Sequence, residues 1–108
     1  MRTLQLSVLE RLQLPDILPK SGRIIAMELA RCIIDKIRLG ADEIGEYGIK
    51  DTADGRIMWN HDKARLKHVE FEDAEIKMLQ GAIRVMDKEG RVTLELLPLV
   101  KRILGMEL

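Results

Sequence analysis

Ile76, Leu79, Ile83 and Met86 recur at steps of three and four, with Ala82 beside them, and charged residues fill the positions between. That period is the signature of a helix with one apolar face, and it predicts a helix over residues 73–89, ended by Gly90. A one-faced helix needs a partner surface, so the rest of the chain is read for what could cover this stripe. Residues 23–39, RIIAMELARCIIDKIRL, supply one answer. Ile25, Leu29, Ile33 and Ile37 repeat every fourth position, Ala26, Ala30 and Cys32 lie alongside, and Glu28, Arg31, Asp35, Lys36 and Arg38 mark a wetter side. Aromatic residues are 3% of the 108, so the core between these helices is aliphatic.

Between the two helices the pattern changes. TADG, residues 52–55, places Asp-Gly where a tight turn needs a positive φ, which predicts strands at 48–52 and 55–60. Ile57 and Trp59 then share one strand face and Met58 takes the other. LKHVEF, 66–71, reads as a third strand, with Lys67, Val69 and Phe71 on one side and Leu66, His68 and Glu70 on the opposite side. ADEIGEY forms a short helical turn over 42–47, stopped by Gly48.

At the N-terminus Thr3 to Leu6 alternates and suits a short strand. Ser7 and Glu10 have the spacing of a capping box, which starts a helix at Ser7. Pro15 lacks an N–H and is expected to kink or end it, between Leu14 and Leu18. At the other end, residues 93–104, TLELLPLVKRIL, fit a last helix capped by Thr93. Val92, Leu94 and Leu96 also alternate like a strand, and Pro98 sits badly in a helix interior. Residues 91–98 are thus open between helix and strand. In either form this segment is apolar on almost every side and must be buried or paired. Leu96, Leu99, Val100 and Ile103 are the residues expected to meet a second copy of the chain.

The expected architecture is a single α+β domain spanning 1–108: four or five helices with a small antiparallel sheet around 48–71. The length fits one domain with one modest core. The 18 basic and 18 acidic side chains balance, which argues against a dedicated nucleic-acid surface without excluding a local basic patch. The lone Cys32 cannot form an internal disulfide, the first 15 residues lack the apolar stretch of a secretory signal, and no apolar run approaches a membrane span. A cytoplasmic protein without membrane contact is expected.

Motifs for chemistry are sparse. His61 and His68 with Asp62 or Glu70 do not match a structural zinc spacing, so no metal is expected. The acidic groups Asp42, Glu43, Glu46 and Glu70, Glu72, Asp73, Glu75 read as helix-start charge rather than paired acid–base catalysts. Cys32, set among Ala30, Ile33 and Ile34, reads as a small core residue. The chain has no nucleophile elbow, phosphate loop or dinucleotide fingerprint. No enzyme and no cofactor are expected.

One stretch stands out. Residues 56–71, RIMWNHDKARLKHVEF, hold the only Trp, the only Phe and both His. Arg56, Trp59, Lys63, Arg65, Lys67 and His68 make a basic group around one aromatic ring, suited to an acidic protein partner. The alternative is a nucleic acid, since single strands want cations beside a stacking ring. A helix-rich domain followed by a hairpin also resembles a winged-helix module with the hairpin as wing. The acidic 41–47 turn, where a recognition helix would stand, argues against it.

Three stretches carry a likeness to known proteins: SVLERLQLPDILPKSG, then DGRIMWN, then FEDAEIKMLQGAIRVMDKEGRVT. In their order along the chain these resemble a set of small phage- or prophage-encoded proteins of uncharacterised function. Glu72 departs from the pattern, where a Thr or Ser cap is expected, and Asp73 is a substitute. The resemblance implies no activity and no catalytic residues. It implies a setting, in which small proteins bind a host or virion protein.

Overall fold

The computed structural model describes residues 1–105. The chain runs β1 (Arg2–Leu6), α1 (Val8–Ile17), α2 (Ile24–Ile37), α3 (Ala41–Tyr47), β2 (Lys50–Asp51), β3 (Ile57–Met58), β4 (Lys67–Phe71), α4 (Asp73–Lys88) and α5 (Leu97–Gly105). The α+β class is as expected, and five helices stand among the described residues.

The amphipathic helix α4 is the hub. It buries Ile76, Leu79, Ile83 and Met86, the stripe read from sequence. Against it pack α1, through Leu14 and Ile17, and α2, through Ala30, Ile33 and Ile37. Each aliphatic side chain taken fully out of water contributes about 1.5–3 kcal/mol. The α2 stripe differs from the sequence expectation. Ile25 is 77% exposed and Ile24 84% exposed. A strict four-residue repeat drifts about 40° per step against the helical period. Extrapolated back from Ile33, the core face passes through Ala30 and the half-buried Ala26, not Ile25.

The strands form two separate antiparallel pairs. β4 leaves the hairpin and joins β1, with Leu4 opposite Val69 and Leu6 opposite Lys67. Leu4, Leu6, Val69 and Phe71 all turn to the core. An isolated two-stranded pair is marginal in water, and this one is held by the helices beneath it. The β2–β3 hairpin keeps only two residues per strand, with Lys50 opposite Met58 and Asp51 opposite Ile57. Gly55 takes φ +82° at its turn, as the sequence required.

Local signals decide the helix ends. Ser7 and Glu10 form the reciprocal capping box, at 3.2 and 3.0 Å. α1 continues through Pro15 to Ile17. A proline this near the end removes a single ladder bond, and the helix stops two residues on. At α4 the cap residue is Glu72, not Asp73, and the Glu75 carboxylate accepts the Glu72 N–H at 2.7 Å. Gly48 ends α3 in the left-handed conformation, φ +63°. The 91–98 ambiguity resolves into an irregular segment over 91–96 followed by the first residues of a helix. The Leu96 N–H donates to the Thr93 hydroxyl at 3.2 Å, and α5 begins at Leu97. Pro98 falls in the first turn, where its missing N–H has no helical partner to lose.

That placement corrects the self-association reading. Leu99, Val100 and Ile103 are 1%, 4% and 0% exposed and belong to the chain's own core, while Leu96 is half-buried against it. They lie in the core beside α4, and a second copy could reach them only if α5 moved away. The segment is apolar because it closes the single chain's core.

Candidate functional site

The stretch around Trp59 is shaped by Asn60. The Asn60 N–H donates to the Tyr47 carbonyl at 2.7 Å, which ties the loop to the end of α3. The Asn60 carbonyl accepts from Lys63 and Ala64 N–H groups, and its side-chain oxygen accepts the Asp62 N–H at 3.0 Å. This knot turns the chain back on itself. Trp59 and His61 end up side by side, ring centres 4.9 Å apart and tilted by 40°.

Trp59 is half-buried. It forms one wall of a hollow of about 320 Å³, completed by Ser7, Val8 and Leu9 from the start of α1 and by His61, Ala64, Arg65 and Leu66 from the loop. Leu66 is 55% exposed and Leu9 38%. Next in the chain, Ile57 and Met58 of β3 are 42% and 61% exposed. The hollow is thus apolar, rimmed by Arg65 and the His61 ring.

The six residues singled out in sequence do not form one cluster. Trp59 and Arg65 line the hollow. Lys63 is exposed on the turn beside it. Arg56 lies at the hairpin end, paired with Asp54 at 3.3 Å. Hydrogen bonding from the Thr52 hydroxyl is the main cause holding the Asp54 carboxyl below its ordinary range. Lys67 and His68 are neighbours on β4 and so point to opposite faces. Lys67 is half-buried on the inward side, where its charge helps to stabilise the ionised Glu43; His68 is exposed on the outward side. Sequence reasoning missed Leu9 and Leu66. Leu9 comes from the far end of the chain, and nothing within residues 56–71 points to it.

A second arrangement carries charge without forming a reactive site. Arg11, 3% exposed, sends Nε to the Ile37 carbonyl at 2.9 Å and Nη2 to the Arg38 carbonyl at 2.8 Å. Its Nη1 and Nη2 also grip the Glu43 carboxylate at 2.5 and 2.9 Å. One buried side chain thereby satisfies carbonyls at the end of α2 and fixes the start of α3. The Arg11 hydrogen bonds are the chief cause that lowers the Glu43 pKa to about 2, assisted by the Gly40 N–H and opposed by burial. Glu75, 2% exposed, is held by the Lys36 ammonium at 2.5 Å. Of the seven carboxylates weighed as acid–base groups, Glu43 and Glu75 are thus occupied by cations. No group of three or more His, Cys, Asp and Glu able to hold a metal ion occurs among the described residues. Nor is any helix among them long and apolar enough to cross a membrane.

No protein-family model, no curated protein and no solved structure matches the chain.

Proposed function

We propose that this chain is a non-enzymatic interaction protein whose contact surface is the Trp59 hollow. The observation that carries the reading is the state of the one tryptophan. It stands half-buried at a concave place, with Leu9 and Leu66 exposed around it and Arg65 at the rim. Trp and Arg are the residue types that most often dominate binding at protein interfaces, and contiguous exposed apolar side chains mark such surfaces. The setting implied by the phage resemblance makes the partner a host or virion protein.

Nucleic acid fits the same place less well. The loop is tied directly to α3, whose Asp42 and Glu46 are exposed and would repel phosphate.

The test begins with a photo-reactive residue at position 66, compared with the same residue at the exposed position 101. A protein captured from position 66 alone is purified and titrated against the native chain. Binding is expected to shift Trp59 emission to the blue, and Leu9→Glu and Leu66→Glu are each expected to weaken it by about tenfold or more. If both variants bind as the native chain does, the hollow is not the contact surface. If instead oligonucleotides quench Trp59 with an affinity that falls steeply as salt rises, the nucleic-acid reading replaces this one.

A further inference from the structure

A larger groove lies away from Trp59. Its volume is about 490 Å³, and it runs between the segment that follows α1 and one side of α4. Ile17, Leu18 and Pro19 form one wall; Met78, Ala82 and Val85 form the other. Positions 78, 82 and 85 recur at helical spacing, so they make a second apolar stripe on α4 beside the one that faces the core. Val85 is 51% exposed. The trough is deepened by Gly81, where an added Cβ would meet no heavy atom within 4 Å. Glycine is a poor residue for a helix interior, and here its missing side chain leaves the space between the walls open.

Charge is distributed unevenly around this groove. Lys20, Lys77 and Arg91 stand on the rim, against Asp16. Lys20 donates to the Pro15 carbonyl at 3.2 Å. Arg91 pairs with Glu89 at 2.6 Å, but both side chains are 52% exposed, and such a pair exchanges readily for another carboxylate. An occupant with an apolar ridge and acidic flanks would therefore meet complementary surfaces on both counts.

Neither wall is a strand, so an extended peptide would find no edge ladder to join. Its backbone groups would lose water without gaining partners. A helix satisfies its own backbone and presents side chains at i, i+3, i+4 and i+7, the usual way of filling an apolar groove between helices. From Lys77 to Val85 the wall spans about 12 Å, or some two turns.

We propose that this groove docks an amphipathic helical segment of another protein, its apolar ridge flanked by Asp and Glu. The site is separate from the Trp59 hollow and does not depend on the function assigned to it.

The probe is a fluorescein-labelled synthetic helix with leucines at i, i+3, i+4 and i+7 and glutamates on the flanks. Its counterparts carry lysine for glutamate, or the same residues scrambled. Fluorescence anisotropy with the full chain is expected to show the glutamate helix binding about tenfold more tightly than either counterpart, with the gap narrowing in salt. Gly81→Leu, which fills the trough, is expected to abolish binding while far-UV circular dichroism stays native. Lys77→Glu combined with Arg91→Glu is expected to reverse the preference towards the lysine helix, which mere loss of packing could not do. Equal binding of the two charged helices, undiminished binding to Gly81→Leu, or no saturable binding of the glutamate helix overturns the proposal. Two further results also overturn it. Laurate that binds here where the helix does not makes the groove a small-amphiphile site. Concentration-dependent association of the chain alone, lost in Gly81→Leu, makes the occupant a second copy.

Discussion

Replacing Glu43 by glutamine removes the charge of the Arg11–Glu43 clamp and one of its two acceptor atoms: the amide oxygen can still accept from Arg11 Nη2 and the Gly40 N–H, while the amide nitrogen cannot accept from Arg11 Nη1. The clamp joins three helices: Arg11 belongs to α1, its carbonyl partners Ile37 and Arg38 close α2, and Glu43 opens α3. Glu43 titrates near 2 in the folded chain against an ordinary 4.5. At about 1.4 kcal/mol per pKa unit, the full linkage amounts to about 3.4 kcal/mol. The carboxylate side chain is 25% exposed, so water screens part of this, and a loss of roughly 1–2 kcal/mol at neutral pH is expected. The pH dependence follows from the direction of the shift. A carboxyl with a lowered folded pKa stabilises fully above its unfolded value. The stabilisation fades as pH falls from about 4.5 towards about 2. At pH 3 less than half should remain. Urea unfolding of the native chain and Glu43→Gln, followed by far-UV circular dichroism at pH 7, 5, 4 and 3, measures the gap between them. A gap of about 1–2 kcal/mol that shrinks by more than half at pH 3 is the expected result. A gap that is absent at pH 7, or that stays constant down to pH 3, refutes the argument.

Four other substitutions probe the fold by the same unfolding measurement. Ser7→Ala removes the acceptor of the Glu10 N–H and should lower stability by about 1 kcal/mol. Ile103→Ala should lower it by about 2–5 kcal/mol in the single chain. Leu94→Ala, at a position 86% exposed, should stay within about 0.5 kcal/mol. A native chain that runs as an oligomer, with an Ile103→Ala variant that is monomeric and equally stable, would return α5 to the role of an interface. Gly81→Ala places a Cβ in open space within α4 and should raise stability by about 0.5–1 kcal/mol; a decrease would mean that the trough is already occupied by the chain itself.

The parts of the fold legible in sequence are those fixed by neighbours within a few residues. Ser7 and Glu10 name a helix start because both partners of the box lie within one turn. Gly48 and Gly55 mark positions of positive φ that few other residues tolerate. The stripe of α4 is legible because its period holds over about three turns, from Ile76 to Met86. What failed depends on partners far along the chain. Nothing in KHVEF states that it pairs with RTLQL rather than with the hairpin just before it. Arg11 reads as an ordinary charged position in a helix, and only the arrival of α2 and Glu43 turns it into a buried clamp. The α5 residues read as an interface because their apolarity specifies burial without specifying which surface covers them. The Trp59 hollow was half legible for the same reason. Trp59 and Arg65 are local to one loop, whereas Leu9 joins them only after β4 pairs with β1 and brings the start of α1 alongside.

α1 borders both surfaces. Val8 and Leu9, at its start, line the hollow, and Ile17, at its end, lines the groove. Its ten residues separate those ends by about 15 Å. Three attachments hold the helix between them. The Ser7–Glu10 box fixes its first turn, Arg102 of α5 reaches across to Glu10, and Arg11 ties the following position to α2 and α3. A helix pinned on two sides near one end cannot slide or tilt at the hollow without breaking a buried, multiply bonded guanidinium, and breaking such a buried pair is strongly destabilising. Sites more than about 7–10 Å apart that share no partners contribute additively. Partners bound at the two proposed surfaces would therefore be expected to bind independently, at opposite ends of one fixed helix. That geometry suits a small protein that bridges two partners better than one that passes a conformational signal from one to the other.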